Sequence, residues 1–136
     1  MELKKLPQIK IWADEPVNIS KTAYKGKFVI THDDKFFAKL FPKKEYDGSK
    51  FFHHMILEEM GVKNAESSAV KKEVEGGGKI EVELIDDYVE VRLYGTSSVY
   101  GPYTPQCVDI AEIEGVIRTM FELIDLPVLV IPDLEA

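Results

Sequence analysis

Apolar and polar residues alternate most cleanly between Lys79 and Tyr94. Ile80, Val82 and Leu84 interleave with Lys79, Glu81 and Glu83, and Val89, Val91 and Leu93 interleave with Tyr88, Glu90, Arg92 and Tyr94. A period of two is that of a strand with one face in a core, and the Asp86-Asp87 turn between the runs predicts a β-hairpin. Two shorter strands are expected earlier. Gln8 to Ala13 places Ile9 and Ile11 on one face, and Lys27 to Thr31 (KFVIT) runs from Gly26 to His32-Asp33-Asp34. From Lys35 to Lys50 the pattern blurs. Phe36, Phe37, Leu40 and Phe41 have helical spacing, but Pro42, its neighbouring lysines and Asp47-Gly48-Ser49 favour a lobe or long loop.

The period then changes to that of a helix. Phe52, Met55, Ile56 and Met60 share one face, Glu58 and Glu59 the other, and Gly61 suits the position after the C-cap. The first turn starts somewhere between Ser49 and His53. Val62 to Glu75 is polar and mixed, ending in a strand through Val70 and Val74, and Gly76-Gly77-Gly78 is expected to break or bulge the chain. A second helix is announced by Asp109 and Glu112, spaced as a capping box, and carries the stripe Ile110, Ile113, Val116, Ile117, Met120, Phe121 and Ile124. Val128 to Ile131 is wholly apolar, which predicts a strand buried on both faces beside a returning crossover helix. These elements predict an α/β or α+β domain over residues 1–136, a mixed sheet of about five or six strands flanked by two helices.

Composition narrows the function classes. At 136 residues one domain can bury a core without disulfides, and the single cysteine, Cys107, has no internal partner. No apolar run approaches the roughly 20 residues of a membrane span, and the N-terminus lacks a secretory apolar region, so a cytoplasmic monomer away from membranes is expected. Net charge is −7, but residues 1–50 carry 11 Lys against 7 acids. The balance argues against general nucleic-acid binding while leaving room for a local basic patch.

The candidate chemistry lies in two places. Tyr94 to Pro102, YGTSSVYGP, runs from a strand into a loop whose Gly95 and Gly101 permit positive φ and whose Ser97 and Ser98 hydroxyls lie beside main-chain N–H groups. Such a loop can cradle an anion; an ordinary turn is the competing reading. His53 falls near the start of the first helix, at the edge of its apolar face. There the positive helix end disfavours imidazolium and offers N–H groups to an anion, so the ring can serve as a base beside a phosphate. A satisfied boundary histidine is the alternative. His53 and His54 point about 100° apart on a helix and make no chelating pair, His32 reads as a surface or capping residue, and no metal or cofactor is expected. Cys107 lacks a phosphatase-type CxxxxxR loop and reads as a small buried residue, and Gly76 to Lys79 is too short for a P-loop.

Taken in order, these residues resemble the phosphohistidine phosphatase (Janus/Ocnus) family. The marks are KFVIT, Phe52-His53-x-x-Ile56, GGGKI at Gly76 to Ile80, and, most specific, Tyr94-Gly95-x-Ser97-x-x-Tyr100-Gly101-Pro102, in family order within a resemblance that runs from about Lys27 to Ile131. The resemblance implies a metal-independent phosphatase acting on phosphohistidine in proteins, with His53 as general base; phospholysine or a small phosphoramidate is an alternative substrate for the same site. By the same resemblance Ser97, through its hydroxyl and backbone N–H, and the N–H groups of His53 and Val99 would hold phosphoryl oxygens. Lys27 would add positive charge, and so would Lys79, which stands where the family has Arg and cannot make the bidentate contact. His54 and Met55 replace small and acidic residues, and Pro105 stands where animal members have a second histidine. A non-catalytic module that binds phosphate or phosphoprotein in the same pocket is the alternative from another class.

Overall fold

A computed structural model of the chain describes residues 2–103 and 108–133; Pro105 and Cys107 lie outside them. After a 3-10 turn at Glu2–Lys5 come β1 (Ile9–Ala13), β2 (Tyr24–Thr31), β3 (Phe36–Pro42), α1 (His53–Glu59), α2 (Ser68–Lys71), β4 (Val74–Ile85), β5 (Tyr88–Tyr94), α3 (Ile110–Met120) and β6 (Val128–Asp133). The strands form one mixed sheet in the order β1-β3-β2-β4-β5-β6. The two outer pairings are parallel and the three central ones antiparallel.

The pleat sends alternate residues of β2 into two cores. Phe28 and Ile30 join Leu40, Ile80, Val91 and Leu93 beneath Ile113, Ile117 and Phe121 of α3 and its exit. Val29 faces the opposite way, joining Phe37 and Val74 under Ile56 and Leu57 of α1 and Val70 of α2. The sheet is thus covered on both sides, with α1 and α2 on one face and α3 on the other. Each fully buried aliphatic or aromatic side chain contributes about 1.5–3 kcal/mol by leaving water.

The predicted hairpin forms with Val82 opposite Val91 and Asp86 in the turn at φ 51°. α3 begins where its cap predicts, Asp109 Oδ1 accepting from Glu112 N at 3.1 Å. Its apolar stripe is narrower than expected, since Ile110 and Ile124 remain exposed.

Four expectations need correction. Residues 36–42 are a strand, not a lobe: β3 lies between β1 and β2 with Phe36, Phe37, Ala38 and Leu40 buried on both faces, and a short apolar run of this kind carries no reliable period. Val70 belongs to the four-residue α2, capped by Ser67, which the polar composition around it concealed. β6 is an edge strand that buries Val128 and Val130 but leaves Leu129 about half exposed, because α3 covers only one of its faces. Gly76, Gly77 and Gly78 stay inside a continuous β4, and the bulge falls beside them, where pairing steps from Ile30 opposite Gly76 to Thr31 opposite Val74.

The N-terminal turn is pinned by a buried lysine. Lys35 Nζ donates to the carbonyl oxygens of Leu3, Lys4 and Leu6 at 2.8, 3.0 and 2.9 Å, which satisfies the ammonium and caps the 3-10 turn.

Candidate functional site

α1 starts at His53 itself, with Phe52 as an extended N-cap (φ −109°, ψ 157°) whose N–H donates to Met55 Sδ at 3.4 Å. His53 is 4 % exposed and its ring lies against β4, Nε2 being 2.8 Å from the carbonyl oxygen of Gly78. A carbonyl only accepts, so the contact puts the proton on Nε2 and leaves the lone pair on Nδ1. The pKa is lowered from 6.5 to about 4, first by burial and then by the nearby Lys27 and Lys79, with the bond to Gly78 acting in the opposite direction. The ring is therefore neutral near pH 7. Burial accounts for this more than a dipole does, since α1 is only seven residues long.

The glycine triplet makes room for that contact. A Cβ on Gly77 would stand 2.5 Å from Phe28 O, 2.9 Å from His53 Cδ2 and 3.4 Å from Ser97 Cβ. His53 and Ser97, distant in sequence, thus meet over one glycine on the α1 face. A Cβ on Gly78, pointing to the other face, would meet Tyr94 O at 2.5 Å and the Phe28 ring at 2.9 Å. In a strand, such glycines mark a place where something must approach closely.

The loop from Gly95 to Pro102 is stitched to the same spot. Gly77 N donates to Gly101 O at 3.1 Å, and Ser97 and Gly101 exchange backbone bonds of 3.3 and 2.9 Å, with Gly95 (φ 72°) and Gly101 (φ 85°) supplying the positive φ that the bend requires. Ser97 is buried, and its Oγ accepts from Val99 N at 3.2 Å and Tyr100 N at 3.0 Å. The N–H groups of Ser97 and Val99, expected to face a ligand, are thus engaged within the loop. The Ser97 hydroxyl hydrogen remains as a donor, and Ser98 lies exposed at the tip. Tyr100 OH donates to Ala65 O at 2.7 Å, and Tyr103 OH donates to Leu93 O at 2.9 Å, which anchors the loop at both sheet faces.

Strand register brings the lysines into line. Lys39 of β3 stands opposite Lys27 of β2, which stands opposite Lys79 of β4. Lys39 is neutralised, its Nζ 2.7 Å from Glu59 Oε1 and 3.0 Å from Asp14 Oδ1. Neither Lys27 nor Lys79 has a carboxylate partner among the described ion pairs. Lys27 is 8 % exposed, donates to Gly48 O at 2.9 Å, and has its pKa lowered by burial and then by Lys79. Lys79 is exposed. Its side chain passes over Gly95, where a Cβ would lie 3.6 Å from Lys79 Cδ.

Two neighbours of His53 escaped the sequence reading as site residues. Phe52 is partly exposed with Lys27 Nζ 5.5 Å from its ring centroid, and its plane lies 10° from that of His54, 6.0 Å away. His54 in turn sits between carboxylates, Nδ1 3.0 Å from Glu58 Oε2 and Nε2 2.8 Å from Glu66 Oε1. The signal available was the Phe52-His53-His54 run itself, but its contacts depend on the loop at Glu66. His32 pairs with Glu75 at 2.9 Å, away from His53. Among the described residues no three His, Cys, Asp or Glu side chains gather as a metal site. A cavity of about 620 Å³ lies elsewhere, between the Asp33-Asp34 turn and the start of α3, lined largely by carboxylates.

Among the described residues the arrangement offers a neutral, buried imidazole with no hydrogen-bond partner at Nδ1, two ammonium groups without a carboxylate partner, and a hydroxyl donor, gathered where β4 meets β2. This is chemistry suited to an oxyanion. No family model matches the chain, and no curated protein matches it significantly.

Proposed function

We propose that the protein is a phosphatase for phosphohistidine or a related phosphoramidate, with His53 as general base and two lysines, rather than a metal, supplying positive charge. The observation that carries this reading is the convergence of His53 and Ser97 over Gly77, beside Lys27 and Lys79, which have no carboxylate partner among the described ion pairs. In the proposed step a water oxygen bonds to phosphorus, its proton passes to His53 Nδ1, the P–N bond breaks, and the leaving nitrogen takes a proton from solvent. The lysines and the Ser97 hydroxyl stabilise charge on the equatorial oxygens. A P–N bond is labile enough that such a site can suffice.

A pKa of about 4 makes the empty-site imidazole a weak base. A bound phosphoryl dianion shifts it upward, because a negative charge nearby favours imidazolium. The same depressed value favours a second reading, a module that binds a phosphoryl group without turnover. Hydrolysis of a phosphohistidine peptide in the presence of a chelator, wild type beside His53→Ala, separates them. The phosphatase reading expects turnover that falls at least a hundredfold in the variant. Wild-type binding of phosphate with no turnover would support the module, and full activity in His53→Ala would remove His53 from the chemistry.

A further inference from the structure

Four large apolar side chains remain exposed among the described residues, and Phe52 is the one that adjoins the site; Ile110, Ile124 and Leu129 belong to α3, its exit and β6. Phe52 is 41 % exposed, yet its ring is held in place. It lies nearly parallel to His54, at 10° and 6.0 Å, and His54 is fixed at both ring nitrogens by Glu58 and Glu66. Lys27 Nζ stands 5.5 Å from the Phe52 centroid, so the ring and the buried ammonium share one border of the site.

We propose that Phe52 is a specificity-determining residue, a shelf against which the imidazole of a phosphohistidine stacks while its phosphoryl group rests on Lys27. This rests on the function proposed above and deepens it by choosing among P–N substrates. In phosphohistidine the phosphorus is bonded directly to a ring nitrogen. With Lys27 Nζ 5.5 Å from the Phe52 centroid, a phosphoryl oxygen about 2.8 Å from that ammonium leaves the attached ring within reach of Phe52, where aromatic centroids about 4.5–7 Å apart pair offset or edge to face. Phospholysine places a flexible aliphatic chain there, which pays rotamer entropy and gains no aromatic contact. Inorganic phosphate places nothing. The shelf therefore discriminates by leaving group, separately from the charge that binds the phosphoryl group.

The test measures affinity for a peptide bearing a non-hydrolysable phosphoryl-triazolylalanine, an aromatic phosphohistidine mimic, and for inorganic phosphate, in wild type, Phe52→Ala and Phe52→Trp. The expected result is about a tenfold loss of affinity for the mimic in Phe52→Ala, recovery in Phe52→Trp, and phosphate affinity unchanged within about twofold in all three. Equal weakening of mimic and phosphate, no weakening of either, or a wild type that binds the mimic no better than phosphate would each overturn the shelf. Turnover is scored separately on phosphohistidine and phospholysine peptides. A wild type that prefers the mimic but hydrolyses neither peptide defeats the proposed activity and leaves the shelf standing.

Discussion

Lys27 and Lys79 face each other across β2 and β4 on the α1 side of the sheet, and neither has a carboxylate partner among the described ion pairs. Like charges directly opposite in an antiparallel pair are destabilising, by a few tenths to about 1 kcal/mol. Lys27 carries the consequence in a lowered pKa, caused first by burial and next by Lys79. The contrast is with Lys39, one strand over, whose charge is answered by Glu59 and Asp14. An anion bound between Lys27 and Lys79 would relieve the repulsion, so ligand binding and stability are linked there.

The linkage predicts a thermal shift. Phosphate at about ten times its dissociation constant should raise wild-type stability by about 1.4 kcal/mol relative to chloride at equal ionic strength. In Lys27→Met and Lys79→Met the rise should shrink to less than half, as read by thermal melts over a phosphate series. Equal rises in all three proteins would place the anion elsewhere.

His53 makes stability depend on pH with a definite sign. Its pKa falls from 6.5 to about 4 on folding, so between these values the unfolded chain holds the extra proton and stability rises with pH. The contribution is complete above about pH 6.5 and is lost as pH falls toward 4, amounting to about 3 kcal/mol over the window. His53→Gln retains a donor for Gly78 O but does not titrate. Urea unfolding at several pH values should therefore show a wild-type curve steeper than that of the variant between pH 4 and 6.5, with the two parallel above it. Parallel curves throughout would mean that the folded ring titrates normally.

Gly77 and Gly115 should respond oppositely to a methyl group. At Gly77 the new carbon meets Phe28 O, a backbone atom, at 2.5 Å and the His53 ring at 2.9 Å, so strand or imidazole must move. Gly77→Ala should cost about 1–3 kcal/mol and displace His53, visible as a change in its ring resonances. A Cβ at Gly115, inside α3, meets nothing within 4 Å. Gly115→Ala should stabilise the protein by about 0.5–1 kcal/mol through helix propensity alone. A tolerated Gly77→Ala would show that the contact between β4 and His53 is slack.

Local order was legible where one element decides its own pattern. Alternation around Val82 and Val91 located the hairpin, Asp109 and Glu112 located the start of α3, and the run around His53 located a helix entrance. Phe36 to Phe41 was not legible, because a strand covered on both faces shows no period and its burial depends on β1 and β2 arriving from elsewhere. The glycine triplet was misjudged for a related reason. What crowds it is Pro102, Phe28, Tyr94 and His53, all remote in sequence. At the site, His53 and Ser97 could be named one by one, whereas the alignment of Lys39, Lys27 and Lys79 depends on register across three strands. The donors expected at Ser97 N and Val99 N came from the family resemblance, which does not show that the bend uses both for its own hydrogen bonds.

That internal use of donors makes Ser97 a test of whether the bend is preformed. Its Oγ accepts two amides, from Val99 and Tyr100, in a buried position. In Ser97→Ala both donors lose their acceptor, at an expected cost of about 1–3 kcal/mol if water does not replace it. Amide exchange at Val99 and Tyr100 should accelerate about tenfold or more while that in β2 changes only by the global loss. Ser97→Thr keeps the oxygen and should restore slow exchange, leaving any remaining fall in phosphate affinity to the added methyl. Fast exchange at Val99 and Tyr100 already present in the wild type would instead mean that the loop samples open forms, with its N–H groups then available to an incoming anion.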